Sequence, residues 1–440
     1  MTTRRDFLKS MTSAAAMAGL AGAPKFSFAQ QAGGKTFIKV FMRGGADGLH
    51  LFPLVGDTMD AYRLYRPNLY IPPAMGNEGG RALDLGTGAR RGMNPNLQPL
   101  MEIWDSGNMM IAPATSFAGA NRSHFDCQRW IGTGAQNNMI DGYLNRYMQE
   151  VDTYTHALRG IVAGKTSLST ELRGEIKVPT IGSAGEFNIE ARHFCEGSGC
   201  ADNRFTEYMQ SISSHEVDLS AAEGNIKDNQ AVMLEAIADV AMAADMYTPA
   251  NDEIVYSNST LGRGLRLCAQ LIKAGLPLEV AALDWNIGWD THSNQIALDG
   301  DQPAANPFTD QSKGYHRGLM EGASDFLAFY RDMGAEMQNI VVLTGSEFGR
   351  TKKENGNFGT DHGDGGAWFA FGGPTRRGFA PDVETIDDSV VDRNWVPTMA
   401  SYRDIVGEIM VRHMGMQENL ISTIFPQHAF TNHSLFSATS

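Results

Sequence analysis

Short runs of strand-forming residues alternate along the chain with longer segments in which apolar residues recur every three or four positions. The short runs predict β-strands at Thr36–Arg43, Met109–Pro113, Leu278–Asp284, Asn339–Thr344 and Trp368–Phe371. The longer segments predict helices at Asn94–Trp104, Asn229–Met246, Ser259–Ala274, Ser312–Met337 and Tyr402–Met414. This alternation is typical of an α/β fold in which a mainly parallel sheet is sandwiched by helices.

The hydrophobic pattern weakens between about residues 143 and 227, where polar turns separate short strand-like pieces. We therefore expect an inserted cap or variable region in this part of the chain. The predicted domain, residues 30–440, is also longer than one hydrophobic core usually grows, which favours a core with insertions.

The N-terminus has the features of a twin-arginine export signal. Arg4 and Arg5 stand before Phe7-Leu8-Lys9, and a mildly apolar run from Met11 to Ala23 follows. That run is too short to span a bilayer, and Ser27-Phe28-Ala29 supplies the small residues that a signal peptidase needs. We expect residues 1–29 to be removed and the protein to be periplasmic or secreted, exported in its folded form.

The charge balance limits the classes of partner. The whole chain carries a formal net charge of −14, and residues 1–29 hold four basic side chains and one acidic one, so the mature protein carries −17. An acidic protein repels both phosphate backbones and anionic lipid, which disfavours nucleic acid and membrane surfaces as partners. No later stretch of the sequence is apolar and long enough to predict a membrane span.

Four cysteines are few for an oxidising compartment. Cys195 and Cys200 form the one close pair, which we interpret as a small local disulfide, with two free thiols as the alternative. Cys127 and Cys268 are predicted to be buried.

Side chains that can bind a metal or take part in catalysis follow each of the first four predicted strands. They are Asp47 after the first strand, Arg122, Ser123 and His124 after the second, Asp290 and His292 after the third, and Glu347, Arg350, Asp361 and His362 after the fourth. Ligand sites of parallel α/β sheets lie beyond the carboxyl ends of the strands, so these loops should meet. Carboxylates and imidazoles together suit a divalent metal, which predicts a zinc, manganese, magnesium or iron site.

Ser123 is the hydroxyl that we favour as a nucleophile, because a serine beside a metal is activated without a dedicated base. The alternative is that Ser123 caps the helix predicted at Phe125–Ile131, and the two roles are compatible. Arg122 and Arg350 are candidates for binding an anionic group of the substrate, with a surface role as the alternative for each.

Five ordered segments resemble one bacterial family. They are Arg43-Gly-Gly-Ala-Asp-Gly48, Arg122-Ser-His-Phe125, Gly288-Trp-Asp-Thr-His292, Ser346-Glu-Phe-Gly-Arg-Thr351 and Thr360-Asp-His-Gly363. The chain resembles domain-of-unknown-function family 1501, which is placed in the alkaline phosphatase and sulfatase superfamily. Asn94-Pro-Asn-Leu-Gln-Pro-Leu100 is similar to the superfamily's helix that leads to its nucleophile loop.

The resemblance implies an alkaline phosphatase-like fold, a metal centre and hydrolysis of phosphate or sulfate esters of a small molecule or polymer. By position it implies metal ligands at Asp47, Asp290, His292, Glu347 and His362, with Asp361 as a co-ligand, and Ser123 as the nucleophile. Glu347-Phe348 stands where the superfamily usually has Asp-His, and no Cys or Ser is followed at the required spacing by Pro and Arg, which disfavours a formylglycine sulfatase. The alternative function is a non-catalytic secreted protein that binds a partner or cell-surface polymer on the same scaffold.

Overall fold

The computed structural model describes residues 34–75, 79–86, 88–137, 139–151, 156–185, 187, 221–380 and 394–436, and in residues 58 and 221–232 it describes the backbone alone. The predicted signal peptide and the Cys195–Cys200 pair lie outside the described residues.

The described strands form one large sheet and two small hairpins. The strands are β1 (Thr36–Phe41), β2 (Leu83–Asp84), β3 (Gly92–Met93), β4 (Met109–Ser116), β5 (Gly160–Ala163), β6 (Thr180–Ile181), β7 (Val280–Asp284), β8 (Leu298–Asp299), β9 (Gln302–Pro303), β10 (Ile340–Gly345), β11 (Gly366–Phe371), β12 (Gly378–Phe379) and β13 (Ala400–Ser401). The large sheet has nine strands in the order β12-β4-β11-β10-β1-β7-β5-β6, with β13 also paired to β4. β2 pairs with β3, and β8 with β9.

Helices cover both faces of this sheet. The α-helices are α1 (Gly48–Leu51), α2 (Met59–Tyr65), α3 (Leu100–Asp105), α4 (His124–Thr133), α5 (Tyr143–Glu150), α6 (Ala221–Met246), α7 (Thr260–Lys273), α8 (Gly314–Met333), α9 (Tyr402–Arg412) and α10 (Ile421–Ile424). Short 3-10 helices lie at Gly56–Thr58, Pro95–Leu97, Thr170–Leu172, Gly334–Asn339 and Glu418–Leu420. None of the helices among the described residues has the length and apolar character that a membrane crossing requires.

The predicted α/β class is confirmed, with a sheet that is mixed but mostly parallel. Within the described part of the sheet, β11 alone runs antiparallel, to both β10 and β4. β4, β7 and β10 therefore share one direction with β1, and their carboxyl ends lie at the same edge. The loops that carry the predicted site residues begin at this edge.

The central strand shows why the sheet is covered on both sides. Ile38 and Val40 pack into one hydrophobic cluster with α7 and α8, whereas Phe37 and Phe41 pack into a second cluster with α5 and α9. Successive side chains of a strand point to opposite faces of the sheet. A strand with apolar side chains on both faces is therefore covered by other elements on both faces. Cys268 lies in the first cluster, and both Cys268 and Cys127 are free and buried, as predicted.

The segment predicted as an insertion, about 143–227, contributes directly to the central sheet in its first part. β5 pairs with β7 in parallel, and β6 extends the sheet beyond β5. β5 has only four residues, which is too short for a clear periodic pattern in the sequence. Residues 188–220 of this segment lie outside the described part of the chain.

The helix predicted at Asn94–Trp104 is interrupted. A 3-10 turn spans Pro95–Leu97, and α3 begins only after Pro99. Proline has no backbone N–H to donate to the preceding turn, so Pro99 separates the two helical pieces.

Two buried carboxylates of α9, Asp404 and Glu408, hold the C-terminal segment by hydrogen bonds. Asp404 accepts hydrogen bonds from His428 Nε2 at 2.7 Å and from the Thr431 amide at 2.9 Å. Burial alone raises the pKa of Asp404, but the hydrogen bonds from His428 and His433 outweigh burial and lower it to about 2.

This shift predicts a loss of stability in acid. The folded pKa of Asp404 lies below the unfolded value of about 3.9, so its contribution is present above about pH 4 and is lost as the pH falls towards 2. The free energy of unfolding of the wild type should exceed that of Asp404→Asn by a margin that shrinks by about 2 kcal/mol between about pH 5 and pH 2. Urea unfolding of both proteins at the two pH values measures this margin, and a constant margin would contradict the prediction.

Candidate metal centre

Three histidines from three separate loops meet at the carboxyl edge of the sheet. His124 is the first residue of α4, His292 lies in the loop after β7, and His362 lies between β10 and β11. His362 Nε2 is 3.1 Å from His124 Nε2 and 3.0 Å from His292 Nε2. The three ring nitrogens therefore converge on one small volume.

Asp290 completes this group. Its carboxylate oxygens lie 3.4 Å from His124 Nε2, 3.1 Å from His292 Nε2 and 3.2 Å from His362 Nε2. The ligand atoms of His124, Asp290 and His362 all lie within 4.8 Å of one another. The structure thus brings together four of the predicted metal ligands, which we call the metal centre: His124, Asp290, His292 and His362.

The other ring nitrogen of each histidine fixes its tautomer. Nδ1 of His124 lies 2.7 Å from Glu347 Oε1, Nδ1 of His362 lies 2.9 Å from the Arg122 carbonyl, and Nδ1 of His292 lies 3.1 Å from Asp361 Oδ1. A carbonyl or an ionised carboxylate can only accept, so each neutral imidazole holds its hydrogen on Nδ1. In the neutral imidazoles Nε2 then carries a bare lone pair, and that of His362 faces those of both His124 and His292.

This donor set fits a divalent cation. Lone pairs that face one another at about 3 Å repel, whereas a cation between them is bound by all three nitrogens. A tetrahedral ion with bonds of about 2.0 Å has ligand atoms about 3.3 Å apart, close to the spacing of these nitrogens. The chemistry of the residues therefore agrees with the metal predicted from the sequence.

Glu347 lies behind His124, away from the lone pairs. It is fully buried and also accepts hydrogen bonds from the Gly44 amide, the Ser346 hydroxyl and the Gln128 amide. Burial alone raises its pKa, but the hydrogen bonds from His124 and Gln128 reverse the effect and lower it to about 2. Glu347 is thus an anion that orients His124 and raises the pKa of that imidazole.

Asp361 has the corresponding position behind His292. Its Oδ1 accepts from His292 Nδ1 and, at 3.2 Å, from the Asn355 side-chain amide. Glu347 and Asp361 were both predicted as metal ligands, and the structure uses each as the hydrogen-bond acceptor of a histidine.

Arg350 joins the loops beneath the metal centre. Its side chain is buried and donates to the carbonyls of Gly44, Gly45, Trp289 and Thr360. It also donates to Asp290 Oδ1 at 2.5 Å. Burial raises the pKa of Asp290, and Arg350 more than offsets this, so the pKa is lowered. The predicted anion-binding role of Arg350 does not agree with this position, because its donors all face the protein.

Arg122 and Ser123 lie at the rim of the metal centre. Arg122 has a positive φ of 62°, its guanidinium lies 4.0 Å from the centre of the Trp395 ring, and its Nη1 lies 3.5 Å from Asp364. Ser123 is the N-cap of α4, and its side chain accepts from the Asp126 amide. Both side chains are partly exposed. The capping role expected for Ser123 is therefore present, and its hydroxyl lies next to a ligand histidine in the chain.

Asp47 lies outside the metal centre. Its carboxylate receives two hydrogen bonds from Arg66, at 2.7 and 3.0 Å, and one from Gln295 at 2.7 Å. It also caps α1 by accepting from the Leu49 amide. All of these partners are buried, so the predicted role of Asp47 as a metal ligand does not agree with its position: its charge is balanced by an arginine.

Sequence reasoning missed three residues around the centre. Arg66 and Gln295 carry no local signal, because they reach Asp47 only through the tertiary fold. Gln128, which donates to Glu347, stands four positions after His124 and therefore shares its face of α4. That spacing could have identified Gln128.

A second group of possible ligands, His156, Glu235 and Asp239, lies elsewhere on the protein. The Leu158 amide donates to His156 Nδ1 at 3.1 Å, so in the neutral imidazole the hydrogen is on Nε2, which faces Asp239 at 3.4 Å. In this tautomer Nε2 carries a hydrogen and offers no lone pair to a metal, unlike the Nε2 atoms of the metal centre.

Comparison with known proteins agrees with the resemblance described above. The family described as "Protein of unknown function (DUF1501)" matches residues 87–394, which include the whole metal centre. The chain belongs to this family. A comparison with curated proteins returns no match.

Solved structures show a more distant similarity than the family does. Ps i-CgsB is 12% identical, with 88% of this chain and 73% of that chain covered and a TM-score of 0.34. The alkaline phosphatase from the Antarctic bacterium TAB5 is 12% identical, with coverages of 79% and 94% and a TM-score of 0.28. Because both TM-scores lie below 0.5, we use neither structure to infer function.

The hydrogen bond from His124 to Glu347 should control metal affinity. Glu347→Gln removes the negative charge that makes His124 a better ligand, and the affinity for zinc should fall by about 10- to 100-fold. Glu279→Gln is the matched control, since Glu279 is buried and pairs with Arg159 near the amino end of β7. Competition with a chromophoric chelator measures both affinities, and equal affinities would contradict the assigned role of Glu347.

A glycine pair in one loop tests the position of His292. A Cβ on Gly359 would lie 2.4 Å from the His292 carbonyl carbon, whereas a Cβ on Gly356 meets nothing within 4 Å. Gly359→Ala should displace His292 and weaken zinc binding by about 10-fold or more, and Gly356→Ala should leave it unchanged. An unchanged zinc affinity in Gly359→Ala, by the same chelator competition, would contradict the placement of His292.

Proposed function

We propose that this protein is a metal-dependent hydrolase of phosphate or sulfate esters. The observation that supports it is the convergence of three Nδ1-protonated imidazoles and one carboxylate at the carboxyl edge of the sheet. The side chains of His292 and Asp290 are each 46% exposed, so a substrate could approach the centre from solvent. Catalytic metal sites keep an accessible position of this kind, whereas structural sites are closed.

The residues that would hold the metal are His124, Asp290, His292 and His362. Imidazole-rich sites favour zinc or iron over magnesium and manganese, which prefer oxygen ligands. When bound, a divalent ion of this kind polarises an ester oxygen and lowers the pKa of a nearby hydroxyl or water.

Ser123 is the nucleophile in this proposal. Its hydroxyl oxygen would bond to phosphorus or sulfur as the bond to the alcohol breaks, the alcohol would leave with a proton, and water would then release the inorganic anion and restore the serine. The capping contact of Ser123 with Asp126 holds its side chain at the start of α4, beside His124.

Arg122 would recognise the charge of the ester. Its side chain is 35% exposed, and its weak contact with Asp364, at 3.5 Å, leaves donors available to an anion. A guanidinium matches the oxygen geometry of phosphate and sulfate. The carbonyl of the same residue orients His362, so the backbone and the side chain of Arg122 would serve the metal and the substrate together.

We further propose that the protein works in the periplasm or outside the cell after twin-arginine export. The support is the Arg4-Arg5 motif with its apolar run and small-residue cleavage site. Export of the folded chain would let the metal bind in the cytoplasm, where the cell controls which metal is available.

The proposal predicts metal-dependent hydrolysis of simple aryl phosphate or aryl sulfate monoesters. Chelation should abolish the activity and added metal should restore it, while His362→Ala and Ser123→Ala should each lower the rate by about 100-fold or more. His156→Ala is the control histidine, because its imidazole belongs to the hydrogen-bonded group away from the metal centre. Metal-loaded protein that hydrolyses neither ester would contradict the proposal and favour the non-catalytic binding function.

A further inference from the structure

A buried chain of polar side chains lies directly behind the metal centre. The Gln295 amide nitrogen donates to Asp47 Oδ2 at 2.7 Å, and its amide oxygen accepts from the hydroxyls of Thr291 at 2.8 Å and Thr360 at 3.2 Å. Asp47, Gln295 and Thr360 are each at most 1% exposed, and Thr291 is 7% exposed. None of the four side chains is therefore available to substrate.

The direction of these hydrogen bonds is determined by one ion pair. Arg66 donates twice to Asp47, which keeps that carboxylate ionised and able only to accept. Gln295 must then turn its NH₂ group towards Asp47 and its oxygen towards the two threonines. Both threonine hydroxyls are left with one role, that of donor to Gln295.

The two threonines belong to the two loops that carry metal ligands. Thr291 stands between Asp290 and His292, and Thr360 comes two residues before His362. The backbones also meet, since the Thr360 amide donates to the Thr291 carbonyl at 3.0 Å. One amide oxygen therefore accepts from side chains of both loops, in addition to the backbone hydrogen bonds between them.

We propose that Gln295, oriented by the Asp47–Arg66 ion pair, is the positioning residue that sets the separation of His292 and His362. Asp47 thus acts on the metal centre without touching it, through one amide and two hydroxyls. This inference rests on the proposed metal-dependent function and adds to it a role for residues that do not contact the metal.

Removing one hydroxyl at a time tests the proposal with little risk to folding. Thr291→Val and Thr360→Val should each weaken zinc affinity by about 10-fold and alter the visible spectrum of the cobalt-substituted protein, because the imidazole geometry changes. Thr36→Val is the matched control: its hydroxyl is also buried and hydrogen-bonded, to the Leu278 carbonyl at 2.7 Å, but it lies at the opposite edge of the sheet. Zinc affinities and cobalt spectra of Thr291→Val and Thr360→Val that match those of Thr36→Val would overturn the proposal.

A charge exchange tests the direction of the hydrogen bonds. Gln295→Glu places a second acceptor against Asp47 and should weaken zinc affinity by about 10-fold or more. In the double variant Asp47→Asn with Gln295→Glu, the new amide can donate to the new carboxylate and both threonine donors are kept. Because Arg66 Nη1 donates to the same Asp47 oxygen as Gln295 and loses that acceptor, the double variant should recover only part of the lost affinity, and a double variant no better than Gln295→Glu would overturn the proposal.

Both experiments measure metal affinity and spectra instead of hydrolysis. Protein that binds zinc but hydrolyses no ester would therefore contradict the proposed function, while the comparison of the threonine variants would still decide the role of Gln295.

Discussion

Nε2 of His362 lies about 3 Å from Nε2 of both His124 and His292, and these facing lone pairs form the interaction on which the rest of this account depends. In their neutral forms His124, His292 and His362 have no hydrogen on Nε2, because each Nδ1 donates to an oxygen that only accepts. A cation relieves the repulsion, and the partly exposed carboxylate of Asp290 adds negative charge at the same point. The tautomers, more than the mere presence of histidines, make this a candidate metal centre, and His156 has the opposite tautomer.

Two successive sets of contacts hold the three imidazoles in this unfavourable arrangement. Glu347, Asp361 and the Arg122 carbonyl orient the rings, and behind them Arg350 and Gln295 tie the loops together. Two acids in this region are balanced by buried arginines, the buried Asp47 by Arg66 and the partly exposed Asp290 by Arg350. The loops that carry these side chains follow β4, β7 and β10, so the sheet fixes the point at which each loop begins.

Much of the fold could be predicted from local pattern, because β1 carries apolar side chains on both faces, Ile38 and Val40 on one and Phe37 and Phe41 on the other. The antiparallel direction of β11 could not be predicted in this way, because a strand buried on both faces has the same hydrophobic pattern in either orientation. Ligand sites lie beyond the carboxyl ends of parallel strands, and this rule predicted that the loops after these strands would meet. Four of the seven predicted metal ligands do lie together. Which acid binds metal and which orients a histidine depends on distances between loops, so Asp47 and Glu347 could not be assigned from spacing alone.

The most direct test is the metal content and ligand environment of the full-length protein exported by its own signal. Elemental analysis should give about one divalent metal per chain, and X-ray absorption of that metal should show about three imidazole ligands with oxygen completing the shell. Folded protein holding less than about 0.2 equivalents of any divalent metal, or a metal without histidine ligands, would contradict the account.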